Sequence, residues 1–394
     1  MSVEAVEIRS FLDEINKDEY EASLKECEEL GLERVELENK GYDIQQLKEI
    51  INGLKAGVDV SVYSDPSYAW FEMEEIRLGL ENNVDVLSYR DRFDWSQIKE
   101  IRLGIVNGVD VSVYSDNTYF AAQMQEIRLG LEEGLDVSLY SSGEFDWFQM
   151  REIRLGLSAG LDVSGYAKPE LSSNVMKQLR MGLEDDIDLT PYIGTCSAGT
   201  LSELREGFLE GIDLTPYVAK GYEGDQLGVI RSCSRSGVDI EPYLDTGYYG
   251  QQLDEIRKGL EHGIDVSLFA SERYNWFQMR EIRIGLEERL DVSSYLDPGF
   301  RHQQMKEIRE GLEADIDVSE YASQKYSVAE MARVKERLIK DSETPTVVDY
   351  TPEQTNEIIL GIEAGVDTSR YDAPSLTAEE MREIRLSLEK ELGK

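Results

Sequence analysis

The sequence predicts an all-α solenoid of repeats of about 26 residues, each with one α-helix and one short 3-10 turn. Three observations predict it. A marker arginine recurs at a near-constant step, helix start and stop signals bracket each copy, and the apolar positions between them fall three and four apart. The arginine stands at Arg77, Arg102, Arg128, Arg154, Arg180, Arg205, Arg231, Arg257, Arg283, Arg309 and Arg385. Ile51, Lys335 and Ile359 hold the slot in weaker copies, and the step is 24–26 residues. One such unit cannot bury its apolar face alone, so neighbours must supply the core.

The copy at residues 145–166 shows each signal. Asp146 is a helix N-cap, with Gln149 three residues on completing a capping box. Asp94 with Gln97, Asn275 with Gln278, and Thr377 with Glu380 repeat the device, and Thr351 precedes Pro352 at a first helical position. Met150, Ile153 and Leu157 then share one helix face. Gly160 closes the helix, as do Gly57, Gly108, Gly134, Gly211, Gly237, Gly263 and Gly365, with Asn83 as a substitute. The predicted helix is about thirteen residues long.

Beyond the stop comes an apolar-Asp-apolar-Ser-x-Tyr pattern. Leu161, Val163 and Tyr166 are expected to fold back on the helix, with Ser164 capping a short turn. Thr190-Pro191-Tyr192, Thr215-Pro216-Tyr217 and Glu241-Pro242-Tyr243 place proline just inside that turn. No copy shows strand-like alternation. On a helical wheel Arg154 and Trp147 fall on one flank and Gly156 on the other, so a large flank is expected to meet a small one between stacked helices. The small slot recurs from Gly53 to Gly361, with Cys233 and Ser387 as stand-ins. An aspartate follows the arginine slot by eight residues, as in Asp110, Asp136 and Asp162, and an Asp–Arg ladder is the expected use of both charges.

Along the chain, residues 1–40 read as a helical N-terminal cap and 41–322 as the repeat solenoid, with 170–245 divergent. Residues 323–349 form a degenerate repeat and a loop, where Lys340–Asp349 with Pro345 suggests a bend. Residues 350–394 are final repeats and a C-terminal cap. The composition, 41% hydrophobic and 31% charged, is globular. The acidic start Met1–Glu7 lacks a secretory apolar core, no run approaches a membrane span, and Cys27, Cys196 and Cys233 are scattered. A cytoplasmic location is expected.

Catalysis is not expected. His262 and His302 lie in different repeats and read as solvent-facing helix positions. Neither they nor the cysteines have metal-ligand spacing, and no phosphate loop or dinucleotide fingerprint is present. Acid pairs such as Glu132-Glu133 and Asp185-Asp186 read as a solvated face, and the oxygen-rich loop of a calcium hand is missing. No cofactor or metal is therefore expected. An enzymatic alternative would need a site in the divergent stretch 190–245.

Two features point to a protein partner. The first is a second apolar stripe opposite the core face: Phe71 with Leu78, Leu103, Leu129, Phe148 with Leu155, and Phe277 with Ile284. Trp70, Trp95, Trp147 and Trp276 cluster in the same repeats, and burial under neighbouring loops is the competing reading for them. The second is a net charge of −39, which disfavours direct nucleic-acid binding and favours a partner with a basic surface. With helices stacked roughly 8–10 Å apart, the charge averages about one per 3 Å of array, against one per ~1.7 Å in duplex DNA. The expected function is a non-enzymatic binding solenoid that blocks a basic, nucleic-acid-binding protein, by DNA mimicry if the acids share one face. A scaffold that joins proteins without mimicry is the alternative.

The runs at 150–166 and 279–295, Met-Arg-Glu-Ile-Arg-x-Gly-Leu followed by Leu-Asp-Val-Ser-x-Tyr, resemble repeats in uncharacterised proteins of gut-bacterial mobile elements. That resemblance covers nearly the whole chain from residue 41; it implies no activity by itself, though such elements often carry anti-defence functions. The layout is also similar to leucine-rich repeat variant proteins, in which α and 3-10 helices alternate; this implies architecture only.

Overall fold

The computed structural model describes residues 17–343 and 350–393. Among them the chain is an all-α solenoid with α-helices alternating with short turns and no strand. Packing divides it into two compact units, Met1–Gly237 and Val238–Lys394. No helix among the described residues is long and apolar enough to cross a membrane. The helix over Val328–Glu343 covers the first part of the expected bend, and 344–349 lie outside the described residues.

The local signals act as expected. The Trp147–Ser158 helix starts on Asp146, whose side chain accepts from the Gln149 amide while the Gln149 side chain accepts from Asp146 N–H at 2.8 Å. Gly160 ends it at φ 74°, and the Val163–Gly165 turn follows. That turn is capped by Asp162, which accepts from Ser164 N–H, rather than by Ser164 itself. Asn83 takes the left-handed stop at φ 57°, and Arg289 does so too. The Thr215–Ala219 segment departs from the plan by widening into a five-residue α-turn.

The core lies between each helix and its own turn. Met150, Ile153 and Tyr166 are fully buried, as are Met124, Ile127 and Tyr140 one repeat earlier. The tyrosine does more than fill space. Tyr114 Oη donates to the Glu100 carbonyl at 3.0 Å, and Tyr63 to Glu49 at 2.9 Å. This corrects the expected role of the repeated glycine. A Cβ on Gly104 would lie 1.9 Å from Tyr114 Oη, and one on Gly156 would lie 1.9 Å from Tyr166 Oη. In these copies the glycine admits the tyrosine of its own repeat, and at Gly79, Gly182 and Gly207 it admits the carbonyl and aliphatic side chain of its own turn; it is not a flank for the next helix.

Successive helices within a unit run parallel and in register, because contacts keep the repeat offset. The arginine ladder shows this and overturns the Asp–Arg expectation. Most of the arginines reach the glutamate that precedes the arginine slot of the previous repeat by two residues; Arg205 and Arg257, whose partner slots hold Gln178 and Val229, pair with other acids. In the first unit Arg77 pairs with Glu49 (2.8 Å), Arg102 with Glu75 (2.7 Å), Arg128 with Glu100 (2.8 Å) and Arg154 with Glu126 (2.8 Å). In the second, Arg283 pairs with Glu255 (2.7 Å) and Arg309 with Glu281 (2.9 Å). Burial opposes the charge on Arg128, but hydrogen bonds from its guanidinium to Glu100 and Glu132 prevail and raise its pKa. The aspartates instead cap turns: Asp110 accepts from Ser112 N–H and Oγ.

A second ladder accompanies the first. The capping glutamine also donates to the next repeat: Gln149 Nε2 to the carbonyls of Pro169 (2.9 Å) and Leu171 (2.6 Å), Gln123 to Phe145 (2.8 Å), and Gln278 to Phe300 (2.7 Å). One side chain thus caps its own helix and fixes its neighbour's register.

Candidate functional site

Parallel helices give each unit two distinct edges. Helix N-termini share one and C-termini the other, with the outer helix face between them. The sequence-selected stripe runs over this face from the N-terminal edge inward. Phe148, at the second helical position, is 49% exposed, and Phe71, Trp70 and Phe277 are similarly open. Leu78, Leu103, Leu129, Leu155 and Ile284, seven residues further along, are half-buried. So are Trp95, Trp147 and Trp276, while Trp70 is exposed.

Part of that burial is ring stacking. Trp147 lies against Phe148 with centroids 3.5 Å apart, and Trp276 against Phe277 at 3.6 Å. The second stack continues onto His302, 4.5 Å from Phe277. His302 is thus a half-buried member of an aromatic platform rather than a free solvent-facing side chain. His262 is exposed, with Nδ1 2.5 Å from Glu287.

The stripe selection missed two members. Phe120 is 77% exposed and Tyr249 74%. Each occupies an N-cap, where most other copies have Asp, Asn, Ser or Thr, and neither side chain can cap. An aromatic residue in a capping slot is the sequence signal that would have found them. In the first unit the aromatic band at the N-terminal edge thus comprises Trp70, Phe71, Trp95, Phe120, Trp147 and Phe148.

Charge is distributed differently. The outer-face slot three residues before the arginine holds Glu74, Lys99, Gln125 and Arg151, a mixture. The segments joining the helices are acidic. Residues 57–69, 107–120 and 133–146 contain no lysine or arginine. Segment 82–94 has Arg90 and Arg92, which sit over the rings of Tyr68 (5.0 Å) and Phe93 (5.1 Å). Further acids gather at helix C-termini: Glu132 and Glu133 end one helix, Glu287 and Glu288 another. Carboxylates there oppose the helix dipole, and arginines hold three of the four: Arg128 pairs with Glu132, Arg154 with Glu133 and Arg283 with Glu287. Burial works against the Glu132 charge, yet hydrogen bonds from Asn107 and Arg128 hold its carboxyl below the usual range.

No group of three or more His, Cys, Asp or Glu side chains among the described residues is placed to hold a metal ion. Cys27 is buried, and that burial pushes its thiol up to about 11, so the thiolate nucleophile is suppressed. In the divergent stretch, Gln178 Oε1 and Arg205 Nε are buried with no hydrogen-bond partner among the described residues. They are a gap in the ladder: Gln178 occupies a glutamate slot, and Arg205 turns to Asp185 and Glu206. No family model, curated protein or solved structure matches the chain.

Proposed function

We propose that the chain is a non-enzymatic binding solenoid whose partner is a protein with a basic surface, which it occupies and blocks. The observation that supports this most is the internal use of cations. Arg77, Arg102, Arg128 and Arg154 are buried against glutamates of the previous repeat, and three of them bond the C-terminal acids Glu81, Glu132 and Glu133 as well, so none of the four offsets the aspartates of the linking segments such as Asp59, Asp110 and Asp136. The linking segments are left negative, which steers a basic partner. The exposed rings of Phe71, Phe120 and Phe148 are suited to be anchors.

The reading stops short of imitating a duplex. Linking segments such as 57–69 and 107–120 carry two aspartates each. At roughly 8–10 Å per layer, that is about one charge per 4–5 Å, sparser than the ~1.7 Å of DNA. A basic nucleic-acid-binding defence protein remains the proposed target class, held by complementary charge and apolar anchors. The test is capture from the native host with immobilised chain, followed by competition with duplex DNA. A partner with a basic groove, released by salt and hindered from binding DNA, supports the proposal. A partner with no basic surface, retained at high salt, favours a scaffold instead.

A further inference from the structure

A second apolar series lies on the turns of the first unit, away from the aromatic band. Val62, Val113 and Leu139 each end a 3-10 turn, and all are more than a third exposed. Leu87 belongs to the turn between the first two and is half-buried. A cavity of about 340 Å³ opens among Val62, Ile76, Leu80, Val84, Val86 and Leu87. Beside these aliphatics stand Asp59, Asp110 and Asp136. Each accepts from the serine two residues on and has no cation partner among the described residues. Hydrogen bonds from Ser61 and Ser112 hold the Asp59 and Asp110 carboxyls below their ordinary range, so both stay charged.

We propose that this turn face, from Asp59 to Leu139, is a docking groove for a basic amphipathic α-helix. The charge complement follows from the four linking segments, whose only cations, Arg90 and Arg92, lie over aromatic rings. The choice of helix follows from the step. Layers recur every roughly 8–10 Å, and seven residues of α-helix advance about 10.5 Å. A helix with a heptad of apolar residues therefore offers one anchor per layer, all on one face. An extended strand covers the same step in about three residues, and an odd step puts successive anchors on opposite faces. A second copy of this chain is disfavoured by like charge at −39. The groove shares only the acidic surface with the functional reading above, and its anchors are different residues.

The experiment titrates a fluorescent three-heptad peptide into the full-length chain and follows anisotropy. The peptide has leucine at a and d and lysine or arginine elsewhere; a second peptide has the same composition with its leucines spread around the helix. The account expects the patterned peptide to bind at least about tenfold more tightly than the spread one. Val62→Ser/Val113→Ser/Leu139→Ser should lose about tenfold in affinity with its melting temperature kept, because all three side chains are already exposed. Phe148→Ser should leave peptide affinity unchanged. Equal binding of both peptides would reduce the face to unspecific charge and overturn the groove. So would a triple variant that binds like wild type. Loss in Phe148→Ser alone would also overturn it and move the contact to the aromatic band, leaving the functional proposal standing. A wild-type dimer dissolved by the turn substitutions would make the occupant another copy, which refutes the proposal.

Discussion

Replacing Gly130 by alanine separates two explanations of the repeated glycine. Alanine in a helix interior is ordinarily worth about 0.5–1 kcal/mol over glycine. Here the new Cβ would lie 2.0 Å from Tyr140 Oη and 2.8 Å from Val137 Cγ1. Tyr140 must move, giving up its hydrogen bond to the Glu126 carbonyl, a loss of about 1 kcal/mol. Displacing a fully buried ring adds about 1–3 kcal/mol of overpacking. The expected net effect is a loss of about 1–3 kcal/mol once the propensity gain is subtracted. Urea denaturation followed by circular dichroism reads it directly. In a Tyr140→Phe background the 2.0 Å contact is gone and the ring carbon Cζ stands off at 3.3 Å, so the same change should cost less. A stabilised Gly130→Ala protein would refute the reasoning. A penalty unchanged by Tyr140→Phe would place the obstacle at Val137.

The remaining predictions concern the ladders and the tyrosines. Gln178→Glu should complete the gap opposite Arg205 and raise the melting temperature, since two buried polar atoms gain partners, an effect of about 1–3 kcal/mol. Glu75→Leu should strand buried Arg102, whose ion pair among the described residues is with Glu75, and cost about 3–5 kcal/mol, while Glu75→Leu with Arg102→Leu should cost less, as read by paired denaturation curves. Gln149→Glu keeps the capping acceptor but sets a carboxylate against the Pro169 and Leu171 carbonyls; thermal melts should show a loss of about 1–3 kcal/mol despite the intact cap. Burial raises the pKa of Tyr63, Tyr114, Tyr140, Tyr166, Tyr295 and Tyr321 from the ordinary 10.0. Their native state therefore holds protons that the unfolded chain releases. The stability they contribute is complete below pH 10 and falls as pH rises above it. Tyrosinate absorbance should appear together with loss of helix; gradual ionisation of an intact fold would contradict this.

The fold was legible because its signals are local. Asp146 with Gln149, the stop at Gly160 and the turn prolines each act within a few residues, and repetition makes each one checkable. Pairing between repeats was harder to read, because every periodic residue has the same period. Arg128 has Asp136 eight residues on and Glu100 in the previous copy, and spacing alone does not choose between them. The exceptions do choose. Asp59 and Asp367 persist where the arginine slot holds Ile51 and Ile359, so the aspartate does not depend on arginine. Arg333 replaces the acid in the copy just before Ile359, so acid and cation are lost together. The glycine carried a similar sign: Gly104, Gly130 and Gly156 each precede a tyrosine by ten residues. At the candidate surface, the wheel identified the stripe but not its exposure. Stacking of Trp147 on Phe148 and of Phe277 on His302 depends on side-chain rotamers that periodicity does not encode.

The central claim is that unbalanced surface acid and exposed rings together capture a basic protein. The measurement that tests it most directly is the affinity of the full-length chain for its captured partner at low and high salt, in wild type and in Phe148→Ser/Leu155→Glu. The account predicts a steep fall in affinity with salt and a further loss of at least about tenfold in the variant. An affinity that ignores both salt and the two substitutions would contradict it.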